Sequence, residues 1–144
     1  MIRKANMNDL PLLTKLALEL WPEHAADTLY YDLGMIMTGG ESVFFLAYRD
    51  ETPEGFAQCQ LRHEYVEGVS TSPVGYMEGL YVRQAERKLG FASQLMQACE
   101  DWARAEGCME FASDCEVGNE ESLAFHLKLG FREANRIICF AKNL

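Results

Sequence analysis

Tyr76-Met77-Glu78-Gly79-Leu80-Tyr81-Val82, followed after a short polar stretch by Arg87-Lys88-Leu89-Gly90-Phe91-Ala92, is the part of the chain whose reading decides the fold. The first run has strand composition. Gly79 interrupts it, which points to a bulge or to the close approach of a ligand. The second run opens a helix over Gly90–Glu106, with Ala92, Leu95, Met96, Cys99 and Trp102 on one face and Gly107 as its stop. Glycine at position 90 and the small Ala92 let another backbone or a ligand come close to the helix start. Unpaired N–H groups and the positive end of the helix dipole bind phosphate at such a place, and Arg87 and Lys88 add charge. Taken alone, Arg-x-x-Gly-x-Ala is also what an ordinary helix start looks like. It is not a P-loop, because no Gly-Lys-Ser/Thr follows.

Upstream, Ile2–Ala5 reads as a short strand and Asn8 as a helix cap before Leu10, Leu13, Leu16 and Leu20. Trp21-Pro22 ends that helix. A second helix is predicted over Ala25–Met37. Ser42–Arg49 and Gly55–Tyr65 read as a hairpin around Thr52-Pro53. Downstream, Met109–Cys115 reads as a strand and Asn119–Leu129 as a helix stopped by Gly130. Ile137–Ala141 reads as a final strand. The order implies an α/β fold with a mixed, mostly antiparallel sheet flanked by helices. Asn119, Ser122 and His126 share one stripe of the last helix, which suits a polar ligand or, equally, a cap, a surface serine and a satisfied histidine.

Bulk properties narrow the function classes. The 144 residues suit one domain, residues 1–144, and 49% hydrophobic with 24% charged residues is ordinary for a globular chain. No apolar run has membrane-spanning length and the N-terminus lacks a signal-peptide core, so a cytoplasmic protein with no membrane partner is expected. Thirteen Lys and Arg against twenty-two Asp and Glu give a formal charge of -9. That disfavours nucleic acid and suits either a cationic small substrate or plain solubility. The five cysteines, Cys59, Cys99, Cys108, Cys115 and Cys139, are odd in number and lack Cys-x-x-Cys spacing. They read as small buried hydrophobes, with no disulfide framework and no metal site.

Arg87-Lys88-Leu89-Gly90-Phe91-Ala92 resembles the coenzyme A motif of the GNAT acetyltransferase superfamily, and Gly118-Asn119-Glu120-Glu121-Ser122-Leu123-Ala124-Phe125-His126-Leu127-Lys128-Leu129-Gly130-Phe131 resembles its second motif. The element order matches over almost the whole chain. Further segments are similar to the short, chromosomally encoded branch of the bacterial aminoglycoside 6'-N-acetyltransferases: Trp21-Pro22-Glu23-His24, Arg62-His63-Glu64-Tyr65-Val66, Ser72-Pro73-Val74, Met77-Glu78-Gly79 and Ala112-Ser113-Asp114.

The resemblance implies a sheet whose two central strands splay apart around acetyl-CoA, with no metal. It implies that Leu80, Tyr81 and Val82 pair with the pantetheine arm. A backbone N–H near Leu80 would polarise the thioester carbonyl, a contribution worth ~3 kcal/mol in other systems. Main-chain groups of Lys88, Leu89, Gly90, Phe91, Ala92 and Ser93 would cradle the pyrophosphate, and Asn119 would contact pantetheine. Leu89 stands where the family commonly has a basic residue or glycine. For the substrate, the resemblance points to Trp21, His24, Tyr65, Glu78, Asp114 and Asn135, the last at a position where the family can carry an acid. Carboxylates and aromatic faces are the expected partners of a polycationic sugar.

The implied chemistry is direct attack of an amine on the thioester, conferring aminoglycoside resistance. Glu78 is the preferred base and Asp114 the alternative, and a clustered pair of carboxylates would raise one pKa toward neutrality. His126 stands where many GNAT enzymes use a tyrosine to protonate the leaving thiolate. Related enzymes are usually homodimers. Two other readings stay open: acetylation of polyamines, peptide N-termini or other small amines, and a silent acetyl-CoA sensor.

Overall fold

The computed structural model describes residues 1–144. Five strands form one sheet in sequence order: β1 (Ile2–Lys4), β2 (Ser42–Arg49), β3 (Thr52–Arg62), β4 (Val74–Val82) and β5 (Phe111–Ala112). The first three pairings are antiparallel and β4–β5 is parallel, the mixed, mostly antiparallel arrangement expected. Four helices complete the fold: α1 (Leu10–Leu20), α2 (Ala26–Thr38), α3 (Phe91–Ala105) and α4 (Glu120–Lys128). None is long and apolar enough to cross a membrane.

The near-continuous apolar run of β2 is explained by burial on both faces, and β3 is likewise buried through its middle. Successive residues go to opposite sides: Phe44, Leu46 and Phe56 pack with Leu13, Leu16 and Leu33 of α1 and α2. Val43, Ala47, Ala57 and Cys59 pack with Leu95, Met96 and Cys99 of α3. Helix α3 buries Leu95, Met96, Cys99 and Ala103, one stripe at helical spacing.

The cap of the first helical segment lies earlier than Asn8. Asn6 accepts from the Asn8 N–H, and Asp9 returns a bond from the Asn6 N–H, a reciprocal capping box. Arg3 grips both oxygens of Asp9 at 2.8 and 2.6 Å. That guanidinium, helped by the Asn6 N–H and opposed by burial, holds the Asp9 carboxyl below its ordinary range. A depressed folded-state pKa stabilises the protein above the unfolded value of about 3.9, and the gain is lost as pH falls through the folded value. Asp9→Asn is expected to cost about 1 kcal/mol at neutral pH, a deficit that closes at acid pH once the folded-state Asp9 is protonated. Urea unfolding at neutral and acid pH checks this, and an equal deficit at both would refute it.

Two expectations are corrected. Strand Met109–Cys115 shrinks to Phe111–Ala112, because β4 pairs with it only at Gly75–Phe111 and Tyr76–Ala112 before the strands diverge. The final strand Ile137–Ala141 does not form: residues 131–144 are neither helix nor strand, and Ile137, Ile138 and Phe140 are exposed instead of packed. A strand needs a neighbour for its backbone groups, and this segment finds none within the chain. The cysteines also divide. Cys59, Cys99 and Cys108 are buried, whereas Cys115 and Cys139 are exposed, and all five are free. The contact with Cys59, together with burial, pushes the Cys99 thiol well above its ordinary range, so it is inert packing.

Candidate active site

The site begins with a bulge. Along β3–β4, Cys59 faces Met77 and Gln58 faces Gly79, so Glu78 is an extra residue with no partner. The bulge suggested by Gly79 is therefore present, and it re-aims the strand where two functional side chains meet. A Cβ on Gly79 would lie 2.7 Å from Cη2 of Trp21, so the indole ring rests on the glycine backbone. Trp21 also meets Phe56 edge-on at 5.9 Å and lies 6.3 Å from the His24 ring. Trp21 thus packs on the sheet at Gly79, the residue after Glu78, with the His24 ring beside it.

Beyond Tyr76, β4 has β3 on one side and no strand on the other. This is the splay. Leu80, Tyr81 and Val82 lie along its open edge, which suits an amide-bearing chain. The Val82 carbonyl accepts from Arg87 Nε at 3.0 Å, and the Tyr81 hydroxyl donates to Glu19 at 2.9 Å. At the far end of the edge Lys88 and Gly90 both adopt left-handed backbone, at φ 67° and 89°. No side chain caps α3, and its first turn closes with Gln94 N–H to the Gly90 carbonyl at 3.1 Å. The N–H groups of Phe91, Ala92 and Ser93 precede that bond, the arrangement that accepts an anion. The open edge and the uncapped helix start fit the two halves of a coenzyme A molecule, an extended amide arm and a pyrophosphate. Leu89 is exposed beside them. No cluster of three or more His, Cys, Asp or Glu is arranged to hold a metal ion.

The acids are not the bare pair that the sequence suggested. Arg62 binds Glu78 through both oxygens, with Nε 2.9 Å from Oε1 and Nη2 3.0 Å from Oε2. The same guanidinium lies 3.4 Å above the Tyr76 ring, and the Tyr76 hydroxyl donates to Asp114. Burial and the Asp114 carboxylate push that hydroxyl well above the ordinary tyrosine range, so it remains a donor. A cation and a phenol therefore stand between the two carboxylates. Arg62 and Tyr76 were missed as functional residues. The available signal was the alternation Gln58, Gln60, Arg62, a polar stripe on one face of an otherwise apolar strand.

On α4, Asn119 spends its side-chain oxygen capping the Ser122 N–H at 3.1 Å. His126 is bonded at both ring nitrogens: Nδ1 to the Ser122 carbonyl at 2.7 Å and Nε2 to Ser113 Oγ at 2.8 Å. Facing a carbonyl, Nδ1 carries a proton in either charge state. Ser113, next to Asp114, is a second residue the sequence reading passed over.

A cavity of about 1050 Å³ opens beside β5, with Arg62, Tyr65, Tyr76, Asp114, His126 and Asn135 among its walls. Tyr65 is highly exposed and donates to Glu67, and Asn135 reaches Glu67 at 3.4 Å. Trp21, His24 and Glu78 are not among its lining residues. The substrate candidates therefore form two groups, linked by Arg62 and Tyr76.

The splayed edge and uncapped helix agree with the family match, in which residues 8–131 fit the acetyltransferase (GNAT) family. The chain belongs to the GNAT acetyltransferase family. Among GNAT relatives, it is 37% identical over 141 residues to an aminoglycoside N(6')-acetyltransferase type 1 of Salmonella typhimurium, covering 98% of this chain and 97% of the relative. It is 40% identical over 127 residues to the enzyme of the same name from Acinetobacter genomosp. 13, covering 87% and 86%. The solved structure of AAC(6')-Iy with the bisubstrate analog CoA-S-monomethyl-acetylneamine superposes with a TM-score of 0.95 at 36% identity. That match covers 100% of this chain and 98% of the other.

Proposed function

We propose that residues 1–144 form a single N-acetyltransferase domain that transfers acetyl from acetyl-CoA to the 6'-amino group of aminoglycosides, conferring resistance. The observation that carries this is that Trp21 and Glu78 at the β4 bulge, linked through Arg62 and Tyr76 to Asp114, lie beside the open β4 edge that leads to the uncapped start of α3. The similarity to 6'-N-acetyltransferases over nearly the full chain supports the substrate class.

Acetyl-CoA supplies the acetyl group as a thioester. Leu80, Tyr81 and Val82 hold its amide arm, with Asn119 alongside, and Lys88, Leu89, Gly90, Phe91, Ala92 and Ser93 hold its phosphates through the main chain. Trp21, His24, Tyr65, Asp114 and Asn135 bind the aminoglycoside. Glu78 takes the proton that the substrate ammonium must lose, directly or through water, and the freed amine attacks the thioester carbonyl. As the C–S bond breaks, His126 in its doubly protonated form gives its Nε2 proton to Ser113 Oγ while the Ser113 hydroxyl proton passes to the sulfur, and the amide nitrogen releases its second proton to water.

The enzyme's cytoplasmic location is supported by its five free cysteines. A homodimer is supported by the exposed Ile138 and Phe140 in a segment without a strand partner.

Thiol release from acetyl-CoA is the deciding assay, run with drugs bearing a 6'-amine, matched 6'-hydroxyl drugs, spermidine and a short peptide. Turnover confined to the 6'-amines is expected. Turnover with spermidine or peptide alone overturns the substrate, and cofactor binding without turnover on any amine indicates a sensor. Gly90→Val tests the phosphate site. A β-branched residue is strained at φ 89°, so the KM for acetyl-CoA should rise about tenfold while the amine KM holds. An unchanged acetyl-CoA KM would remove Gly90 from that role.

A further inference from the structure

Arg62 is the one cation seated directly on the proposed base, and this placement needs a reason. An arginine beside the pocket of a polycationic substrate repels that substrate, so its presence works against binding. Its geometry is costly to arrange. It closes β3, faces Val74 across the ladder, and forks onto Glu78 with two bonds near 3 Å. Its guanidinium plane rests on the buried Tyr76 ring at 3.4 Å. Tyr76 is tied in turn to Asp114 across the splay. The chain Glu78–Arg62–Tyr76–Asp114 therefore joins the two acids on opposite sides of the cleft through one rigid stack.

A carboxylate offers about four acceptor directions. The arginine fork takes one on each oxygen and fixes the plane of the group, leaving the remaining lone pairs aimed in a set direction. A lysine cannot do this, since its ammonium is a point charge without a plane. We infer that Arg62 is a positioning residue for the acetyl transfer, locking the Glu78 carboxylate so that its free lone pairs face the incoming amine. This rests on the reading of Glu78 as the base in an amine acetyltransferase. Arg62 touches no reacting atom and acts only through Glu78.

The test compares wild type, Arg62→Met, Arg62→Lys, Glu78→Gln and the Arg62→Met/Glu78→Gln double variant, by steady-state thiol release with a 6'-amino aminoglycoside. Wild-type turnover comes first, and its absence sinks the proposed function itself. Given turnover, Arg62→Met should lower kcat at least tenfold, within the roughly 100-fold that misplacing a reacting group costs. The KM for the drug should stay level or fall, because a repelling charge is gone. Arg62→Lys should recover only part of kcat. In the Glu78→Gln background Arg62→Met should change kcat less than about twofold, as expected of groups acting through one another. Should Arg62→Met fold poorly, Arg62→Lys keeps the charge and is read alone: kcat reduced about threefold or more with an unchanged KM supports the inference. Wild-type kcat in Arg62→Lys, or an equal loss from Arg62→Met with and without Glu78, overturns it.

Discussion

Glu78→Gln is expected to lower kcat/KM for a 6'-amino aminoglycoside by about 10²–10³-fold, the range of a general base. The amide keeps the size of the side chain and one acceptor oxygen, so the bulge and the contact with Arg62 persist in reduced form. What it loses is the ability to accept a proton from the substrate ammonium. The loss should fall mainly on kcat, with the KM for acetyl-CoA within about twofold, because Glu78 lies on the substrate side of the open edge. Asp114→Asn is the control. It removes an acid held by Tyr76, so its effect should appear mainly in the KM for the drug. Steady-state kinetics on the two variants decides between them. If Asp114→Asn loses the larger share of kcat, the base is Asp114 and Glu78 is a binding group.

Phe56→Ala should be the most damaging core substitution near the site. Phe56 has no exposed surface and lies between the rings of Trp21 at 5.9 Å and Tyr81 at 6.4 Å. Its truncation should destabilise the fold by about 3–5 kcal/mol, against the roughly 5–15 kcal/mol that keeps such a domain folded. Urea denaturation would show the midpoint falling with little change in slope. A cost under about 1 kcal/mol would mean that neighbouring side chains refill the space. Because Trp21 leans on Phe56 and on Gly79, the folded fraction should also bind the aminoglycoside more weakly.

Much of the architecture was legible from residue pattern. The apolar run of β2, the apolar stripe of α3 and the interruption at Gly79 are local signals, and each appears in the fold where expected; the β2–β3 hairpin also forms, but its turn is Asp50-Glu51 and Thr52-Pro53 is already paired in β3. Helix α2 and the Asn119 cap followed the same logic. Where the outcome depended on distant partners, the pattern misled. Ile137–Ala141 has strand composition, but a strand forms only when another edge accepts its hydrogen bonds, and composition does not say whether one is within reach. β5 was cut to two residues for the same reason, as the splay withdraws β4 from it.

The candidate site divides along the same line. The residue types Glu78, Asp114 and His126, and the helix start at Gly90, stood out in the sequence itself or through its family resemblance. The tertiary structure alone decided how they are wired. Arg62 lies 16 positions from Glu78 and yet holds both its oxygens, Tyr76 reaches Asp114 38 positions away, and Ser113 meets His126 across 13. The antiparallel register of β3 and β4 with its bulge creates the first, the parallel pairing of β4 with β5 the second, and the packing of α4 against the end of β5 the third. Charge pairing then follows from distance in space, with an energy that falls as the inverse of that distance and bears no relation to separation along the chain.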